Sequence, residues 1–221
     1  MTPPPSNGGR GLLLDYGGVL TGPVSRSFEA FEQKQGIRPG ETFALLVDAS
    51  RTHGGGVIGA LERGEMTVED FDQVLTVLLT DAGHTTVPEG SVLGQLFAGM
   101  VPEGRMWDVA RHVREAGART GLLSNSWGTA AYPWDRLDAH FDVTVISGDV
   151  GLRKPDPAIY RLACERHGLA PERCAFVDDL ERNVEVARDL GMFAVVHEGD
   201  AVATADALAG FLDVDLALAA D

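Results

Sequence analysis

The stretch GLLLDYGGVL at residues 11–20 decides the fold. Its three consecutive leucines predict a short β-strand buried on both faces, as in a parallel sheet that helices cover. The strand ends on Asp15, and two glycines follow after Tyr16. Ligands of open α/β sheets bind outside the carboxyl ends of the strands, so Asp15 stands where chemistry is expected. Taken alone, an aspartate at a strand end is more often a turn residue, and the later strands must decide between the two interpretations.

The composition is that of an ordinary globular protein. The chain has 221 residues, of which 44% are hydrophobic, enough for one large domain or for a core with a smaller insert. No apolar run approaches the length of a membrane span. The first residues, MTPPPSNGGR, do not resemble a signal peptide and predict a flexible tail. Cys164 and Cys174 are too few for a disulfide framework or a cysteine metal site, so we expect a cytoplasmic protein.

The charge balance narrows the class of partner. A formal net charge of -15 argues against nucleic acid, because the chain has no basic surplus to neutralise phosphates. The same charge repels small anions at long range. A phosphate ester could therefore bind only where a metal ion and a few local cations make the electrostatic potential of the site positive. We expect no nucleic-acid and no membrane partner, and either a monomer or a homodimer.

Residues 23–101 predict an all-helical block. Apolar stripes at helical spacing lie around residues 28–31, 43–47, 71–79 and 92–100. The sequence TVED at 67–70 resembles a capping box, with Asp where Glu or Gln is usual. The sequence RTHGGG at 51–56 predicts a loose loop. We interpret the block as an insert between the first strand and the rest of the fold.

From residue 102 onward, helices and strands alternate. Buried strands are predicted at 120–123, 143–146, 174–177 and 193–196, with helical stripes at 106–113, 159–163, 180–190 and 203–212. Strands that helices separate imply right-handed crossovers. The predicted fold class is therefore α/β, a Rossmann-like doubly wound parallel sheet with a small all-helical insert.

Polar side chains follow four of the predicted strands. Asp15 ends the first strand, Ser124 the second, and the pair Asp178 and Asp179 the fourth, while Lys154 comes after the third. Because parallel strands point their carboxyl ends to the same edge, we expect these groups to converge there. This convergence is more specific than any single motif.

The adjacent carboxylates of Asp178 and Asp179 indicate a cation. Left unpaired, they would repel each other and raise one pKa, and a bound cation removes that repulsion. Together with Asp15 they supply the hard oxygen ligands that Mg²⁺ takes, with room for waters and a phosphate oxygen. None of the six histidines belongs to a zinc pattern, so zinc is disfavoured.

Four segments resemble, in order, the four motifs of the haloacid dehalogenase (HAD) superfamily. They are DYGGVL at 15–20, LLSN at 122–125, RKPDPAIY at 153–160 and FVDDLERN at 176–183. The helical insert resembles what that family calls a C1 cap, and LERGEMT at 61–67 resembles a cap segment of the subgroup with small helical caps. The resemblance implies a tail at 1–10, a core of 11–22 and 102–221, and a cap of 23–101.

The resemblance also implies roles at the convergence point. Asp15 is the nucleophile, which attacks phosphorus in line and forms an aspartyl-phosphate. Ser124 donates a hydrogen bond to a phosphoryl oxygen, and Asn125 holds either the loop or the cap side of the substrate. Lys154 neutralises the nucleophile and the phosphoryl oxygens as a point charge. Arg153 is expected on a solvated face.

The implied Mg²⁺ site uses the same edge. Asp15 and Asp179 are direct ligands in this interpretation, and the backbone carbonyl of Gly17 is a third. Asp178 binds the metal directly or through water, or orients the lysine. Gly17 and Gly18 also contribute to phosphate binding.

Gly17 departs from the family pattern. Family phosphatases usually carry a second aspartate two residues after the nucleophile, whose carboxyl protonates the leaving oxygen and later activates water. Gly17 has no carboxyl, and losing general acid–base help of roughly 10²–10⁴-fold should slow turnover without abolishing it. A leaving group that departs easily would suffer least. His53 is a candidate replacement, against the alternative of a surface histidine.

The leading hypothesis is a Mg²⁺-dependent HAD-like phosphatase acting on a small phosphorylated metabolite, with the cap closing over the site. One alternative is a non-catalytic or regulatory protein that binds phosphate or another small ligand. Gly17 motivates it, whereas the retained Asp15 and Lys154 weigh against it. A 2-haloacid dehalogenase also lacks the second aspartate, but that branch needs no metal and leaves the acidic pair unexplained. The phosphoryl-mutase branch depends on the missing acid and is disfavoured.

Overall fold

The computed structural model of the chain describes residues 9–52, 56–84, 90–129 and 132–218. His53, the candidate replacement acid, lies outside the described residues. One parallel sheet of five strands forms the core. The strands are β1 Gly11–Leu14, β2 Arg119–Ser124, β3 Val143–Ile146, β4 Cys174–Asp178 and β5 Phe193–Val196. Each strand overlaps one that the sequence predicts.

The sheet has the order β3-β2-β1-β4-β5, so β1 is central. Leu14 pairs with Leu122 of β2 on one side and with Val177 of β4 on the other. The chain therefore winds outward in both directions from β1 and β4. Asp15 and Asp178 end these two neighbouring strands at the topological switch point, where ligands of such sheets bind.

Helices cover both faces of the sheet, as a doubly wound fold requires. Leu12 and Leu14 pack in one buried cluster, and Leu13 packs in a second. The triple-leucine strand is thus buried on both faces, as predicted. The core helices are α6 Gly104–Glu115, α7 Trp134–His140, α8 Ser147–Val150, α9 Pro157–His167, α10 Glu181–Asp189 and α11 Ala201–Leu212, with a 3₁₀ turn at Pro171–Arg173.

The helical insert has an apolar core of its own. Its helices are α1 Val24–Gln35, α2 Glu41–Thr52, α3 Val57–Glu62, α4 Val68–Asp81 and α5 Val92–Phe97. Their buried side chains, Phe71 and Leu75 among them, form a third cluster. The two connections to the core lie side by side, because Thr21 and Pro102 form an antiparallel bridge and Gly22 N donates to Val101 O at 2.8 Å.

Local sequence signals explain where the longer helices begin. Thr67 Oγ1 accepts a hydrogen bond from Asp70 N at 3.0 Å, which confirms the predicted cap of α4. The helices α3, α7 and α8 were not predicted. With six, seven and four residues they span at most about two turns, which gives only a weak helical period. None of the helices in the part of the chain that the structure describes combines the length and apolar character needed to cross a bilayer.

Candidate active site

Lys154 is the buried centre of the site. Its side chain is only 1% exposed. The ammonium lies 2.7 Å from Asp15 Oδ1 and 2.7 Å from Asp178 Oδ2, and it donates to Leu123 O at 2.8 Å. Its three donors therefore have three acceptors, which is the condition for burying an ammonium without a large penalty. Burial lowers the pKa of Lys154, but Asp15 and Asp178 outweigh that effect and raise it, so the amine stays charged.

Asn125 fixes the backbone that carries this lysine. Its Oδ1 accepts from Lys154 N at 2.8 Å, and its Nδ2 donates to Lys154 O at 3.0 Å. This pair of hydrogen bonds ties the end of β2 to the loop before α9. Of the two roles considered from sequence, the geometry favours holding the loop.

Asp178 is fully occupied by protein partners. One carboxylate oxygen contacts Lys154, and the other accepts from Leu180 N and from Asn183 Nδ2, each at 2.9 Å. The residue is completely buried. Its contacts therefore suit orientation of Lys154, one of the roles predicted for it.

Asp15 is buried beside the lysine and faces the cavity. Asp15 Oδ1 accepts from Tyr16 N at 2.7 Å in addition to its contact with Lys154. Burial raises the pKa of the Asp15 carboxyl, and the Lys154 ammonium only partly offsets the shift, while Asp178 adds to it. The net effect is a carboxylate that a further positive charge would stabilise.

Asp179 lies against the glycine turn that follows β1. Burial, and after it the neighbouring Asp178, raise the pKa of the Asp179 carboxyl to about 6. Gly18 has a positive φ of 76°, and a Cβ there would lie 2.5 Å from Asp179 Cγ and collide with Oδ2. Only glycine allows this close approach. The backbone at Gly18 therefore lies in close contact with the side chain of Asp179.

The three carboxylates fit a divalent cation. Oxygen atoms of Asp15, Asp178 and Asp179 lie within 4.8 Å of one another. Lys154 provides one positive charge against three carboxyl groups. The pKa values of Asp15 and Asp179 are raised first by burial and further by neighbouring carboxylates, and a bound cation would oppose both shifts. Hard oxygen donors of this kind are the ligands that Mg²⁺ prefers. With Asp178 occupied, Asp15 and Asp179 are the side chains best placed to hold the ion.

Ser124 has a partner that the sequence did not suggest. Its hydroxyl lies 2.8 Å from the hydroxyl of Tyr132. The Tyr132 ring contacts the Tyr16 ring with a centroid distance of 4.7 Å, so two aromatic rings flank the end of β2. Burial raises the pKa of the Tyr132 hydroxyl, which keeps it protonated and able to orient Ser124. No spacing in the sequence connects Tyr132 with this site.

The prediction for Arg153 is wrong. Arg153 Nε lies 2.6 Å from Glu62 Oε2, and Glu62 belongs to α3 of the insert. Glu62 Oε1 also accepts from Trp127 Nε1 at 3.0 Å. Burial raises the pKa of the Glu62 carboxyl, and Arg153 opposes that shift. We call Glu62 and Arg153 the latch, because they join the insert to the core beside Lys154.

A cavity of about 1030 Å³ lies between the insert and the carboxyl edge of the sheet. The rim, as we call Asp15, Ser124, Lys154, Asp178 and Asp179, supplies one side of this space, and of these residues all but the buried Asp178 line it. The structure thus brings together the side chains that the sequence predicted to converge. Gly17 also lines the cavity, and a Cβ there would lie 3.0 Å from Val24 Cγ2. Even a small side chain at position 17 would therefore press on α1.

Comparison with known proteins identifies the family. The sequence profile of haloacid dehalogenase-like hydrolases matches residues 10–191. Acyl-CoA dehydrogenase family member 10 of Mus musculus is 30% identical over 210 residues, which is 91% of this chain and 19% of that protein. Bifunctional epoxide hydrolase 2 of Sus scrofa is 27% identical over 204 residues, 85% of this chain and 36% of that protein. The chain therefore spans about a fifth to a third of the length of these relatives.

A shorter match and two solved structures agree with this assignment. The phosphoserine phosphatase of Thermus thermophilus is 46% identical over 60 residues, 27% of this chain and 24% of that protein. A HAD family enzyme from Bacteroides thetaiotaomicron, crystallised with magnesium and inorganic phosphate, has a TM-score of 0.64 at 22% identity and covers 87% of this chain and 96% of its own. An L-2-haloacid dehalogenase has a TM-score of 0.60 at 21% identity, covering 86% and 84%. These structures share the fold, and the profile match over residues 10–191 shows that the chain belongs to the haloacid dehalogenase-like hydrolase family.

Proposed function

We propose that the chain is a Mg²⁺-dependent phosphatase that cleaves a small-molecule phosphate monoester through an aspartyl-phosphate on Asp15. One observation carries the proposal: the buried Lys154 ammonium bridges Asp15 and Asp178 at the edge of a cavity that Asp179 also lines. A phosphoryl group needs a nucleophile, a fixed cation and a metal site in one place, and this edge offers all three. The short match with a phosphoserine phosphatase supports the same reaction.

The geometry suggests which atom of Asp15 attacks. Oδ1 is engaged by Lys154 and by Tyr16 N, whereas Oδ2 has no hydrogen bond among the described residues. In the proposed reaction Oδ2 attacks phosphorus, the ester P–O bond breaks, and the leaving oxygen takes a proton from solvent. Water then attacks the phosphorus of the aspartyl-phosphate. The P–O bond to Asp15 breaks, and inorganic phosphate and the free carboxylate are released.

The rim provides the charge that the phosphoryl oxygens need. Lys154 offers a fixed positive charge, and Ser124, oriented by Tyr132, donates a hydrogen bond. Asp15, Asp179 and the Gly17 carbonyl would hold Mg²⁺, which would supply positive charge against the acidic groups of the chain. Asp178 is assigned to positioning Lys154, since its own oxygens are already occupied.

Gly17 restricts which esters react quickly. No carboxyl stands there to protonate the leaving oxygen, and that help is worth roughly 10²–10⁴-fold. Esters whose alcohol departs readily should therefore be turned over best. The proposed partner is a small phosphorylated metabolite, and the oligomeric state, monomer or homodimer, stays a prediction.

The test compares phosphate release from 4-nitrophenyl phosphate with Mg²⁺ and after chelation, beside Asp15→Asn. We expect release that needs the metal and is lost in the variant. Acid quenching during turnover should leave one added phosphoryl group on the wild-type chain, located on Asp15 by peptide mass. The conservative Asp179→Asn variant should need a higher Mg²⁺ concentration for half-maximal release.

Other outcomes would refute the proposal in distinct ways. Absence of release while inorganic phosphate still binds would support a non-catalytic phosphate-binding protein, the alternative that Gly17 motivates. Metal-independent chloride release from 2-chloropropionate would support a dehalogenase. Release that survives in Asp15→Asn would remove Asp15 from the role of nucleophile.

A further inference from the structure

An apolar surface lies across the cavity from the rim. We call it the cap wall and define it as Phe28, Phe43, Val47, Phe97 and Trp127, all of which line the cavity. The first four belong to helices of the insert, and Trp127 lies three residues after Ser124 of the core. An apolar surface therefore begins close to the point where the phosphoryl group would sit.

The aromatic members of the wall support one another. The Phe28 ring meets Phe43 edge to face at a centroid distance of 5.8 Å and Trp127 at 6.0 Å. Phe97 packs on Trp127 in the same manner at 5.8 Å. Such contacts hold the side chains of the wall in place, so that ligand binding does not cost conformational entropy for ordering them.

Part of this apolar lining is open to solvent. Eight large hydrophobic side chains of the described residues are exposed, and three of them line this one cavity: Phe43 at 51%, Val47 at 38% and Leu180 at 42%. Apolar surface gathered in a concave site is typical of a binding surface. A ligand that covers these three groups removes apolar area from water, which favours binding in proportion to the area covered.

Two carboxylates on the same side of the cavity are already used by the protein. Glu32 accepts from Gly40 N at 2.7 Å and from Thr42 N at 2.8 Å, and Glu62 is occupied by the latch and Trp127. Among the described residues of the insert, Ser50 Oγ is the one cavity-lining hydroxyl that is buried without a partner. Ser25, Glu29 and Arg51 also line the cavity, but these three residues are exposed to water. A sugar held against the cap wall itself would bury hydroxyls that stay unpaired, and each of these weakens binding.

We infer that the alcohol part of the substrate is apolar, so that the site takes the phosphate monoester of an alkyl or aryl alcohol rather than of a sugar. This inference rests on the proposed function for the phosphoryl end and adds the class of leaving group. The rim holds the phosphoryl group, and the alcohol lies along the cap wall. Aryl alcohols also leave readily, which suits a site with Gly17 in place of an acid.

The test measures binding, so that it does not depend on turnover. Methyl-, butyl- and octylphosphonate keep a phosphoryl-like head on a C–P bond that cannot be hydrolysed, and their Kd values are measured by calorimetry with Mg²⁺. We expect Kd to fall by about threefold for each added methylene. Butylphosphonate should bind more tightly than 3,4-dihydroxybutylphosphonate, which has the same length with two hydroxyls. Equal Kd values along the series, or tighter binding of the dihydroxy compound, would overturn the inference.

Two matched variants locate the effect. Val47→Asn should shrink the ratio of the methyl and octyl Kd values by about fivefold. Val77→Asn makes the same change on α4, at a valine that is 56% exposed and outside the cavity lining, and should leave the ratio as in the wild type. If the ratio of the two Kd values shrinks equally in both variants, the cap wall does not bind the alkyl group of the phosphonate.

The two proposals fail separately. If the phosphonate Kd falls with each added methylene but phenyl phosphate is not hydrolysed, the proposed phosphatase activity is wrong and the inference of an apolar binding site stands. If phenyl phosphate is hydrolysed but the phosphonate Kd does not change with alkyl length, the proposed activity stands and the inference of an apolar alcohol is wrong.

Discussion

The rim and the cap wall face each other across one cavity and are built in opposite ways. At the rim, Lys154 and Asp178 are buried, and each of their charged atoms has a protein partner. In the cap wall, Phe43 and Val47 are apolar and partly exposed, with no polar partner to satisfy. A change at the rim therefore breaks several interactions at once, whereas a change in the wall alters only what is covered.

From this difference we expect the rim to determine the rate of the reaction and the cap wall to determine which esters are preferred. The rim comes from the ends of sheet strands, which pair in a register that leaves little freedom. Most of the wall comes from helices with their own apolar cluster, connected to the core through the bridge between Thr21 and Pro102. We expect substitutions at the rim to reduce activity against every ester, and substitutions in the wall to change the order of preference among esters.

The largest effect is expected for Lys154→Met. The change leaves Asp15 and Asp178 facing each other without a cation, and losing half of a buried pair costs about 3–5 kcal/mol of folding stability. Activity should fall by roughly 10³-fold or more, because the phosphoryl charge also loses its fixed partner. Urea denaturation and kcat/KM for 4-nitrophenyl phosphate measure the two losses. Lys34→Met, at the only other lysine, changes an exposed residue of α1 and should affect neither.

Gly18→Ala should break the rim through the backbone. Position 18 has a positive φ, and the added methyl group collides with Asp179. We expect about 10²-fold lower activity and a higher Mg²⁺ concentration for half-maximal rate. Gly36→Ala is the matched control, since its φ is 69° but nothing lies within 4 Å of the new Cβ. Both variants carry a backbone strain of about 1 kcal/mol. Equal activity in the two would mean that contact with Asp179 is unimportant.

Gly17→Asp tests the group that the rim lacks. Because a Cβ at position 17 presses on Val24, the substitution is made together with Val24→Ala and compared with Val24→Ala alone. A working acid should raise kcat for ethyl phosphate, whose alcohol leaves poorly, by about 10-fold or more, and barely change kcat for 4-nitrophenyl phosphate. If kcat changes by the same factor for both esters, the new carboxyl does not protonate the leaving oxygen.

The rim was predictable from sequence for a physical reason. Buried parallel strands leave runs of apolar residues, and the polar residue that ends each run must lie at one edge of the sheet. Asp15, Ser124 and Asp178 could therefore be grouped without knowing how the helices pack. Lys154 was grouped with them because it follows the third predicted strand, although it lies eight residues beyond the end of β3.

The contacts between insert and core were not predictable in this way. Glu62 and Arg153 are far apart in sequence, and no period or spacing relates a short helix of the insert to a loop of the core. Arg153 was for this reason expected in solvent, although it pairs with Glu62 at 2.6 Å. Tyr132 was missed for the same reason, since no spacing in the sequence relates its hydroxyl to that of Ser124, which lies 2.8 Å away.

The smallest effect is expected at the latch, where the two regions meet. Glu62→Gln keeps an oxygen that can accept from Trp127 but removes the charge that faces Arg153. We expect KM for 4-nitrophenyl phosphate to rise by about threefold to tenfold with kcat nearly unchanged, because the insert is held less firmly over an intact rim. Glu65→Gln is the matched control, since it breaks the exposed pair with Arg63 on the same segment.

A double-mutant cycle decides whether the latch acts as a pair. If the charge pair is what joins insert to core, Arg153→Gln should add little to Glu62→Gln, and the two changes together should raise KM about as much as either alone. Additive effects on KM would mean that each residue acts on its own, for example by contacting the substrate directly. A fall in kcat that equals the rise in KM would place Glu62 in the chemistry, and the division between a rim that reacts and an insert that selects would no longer hold.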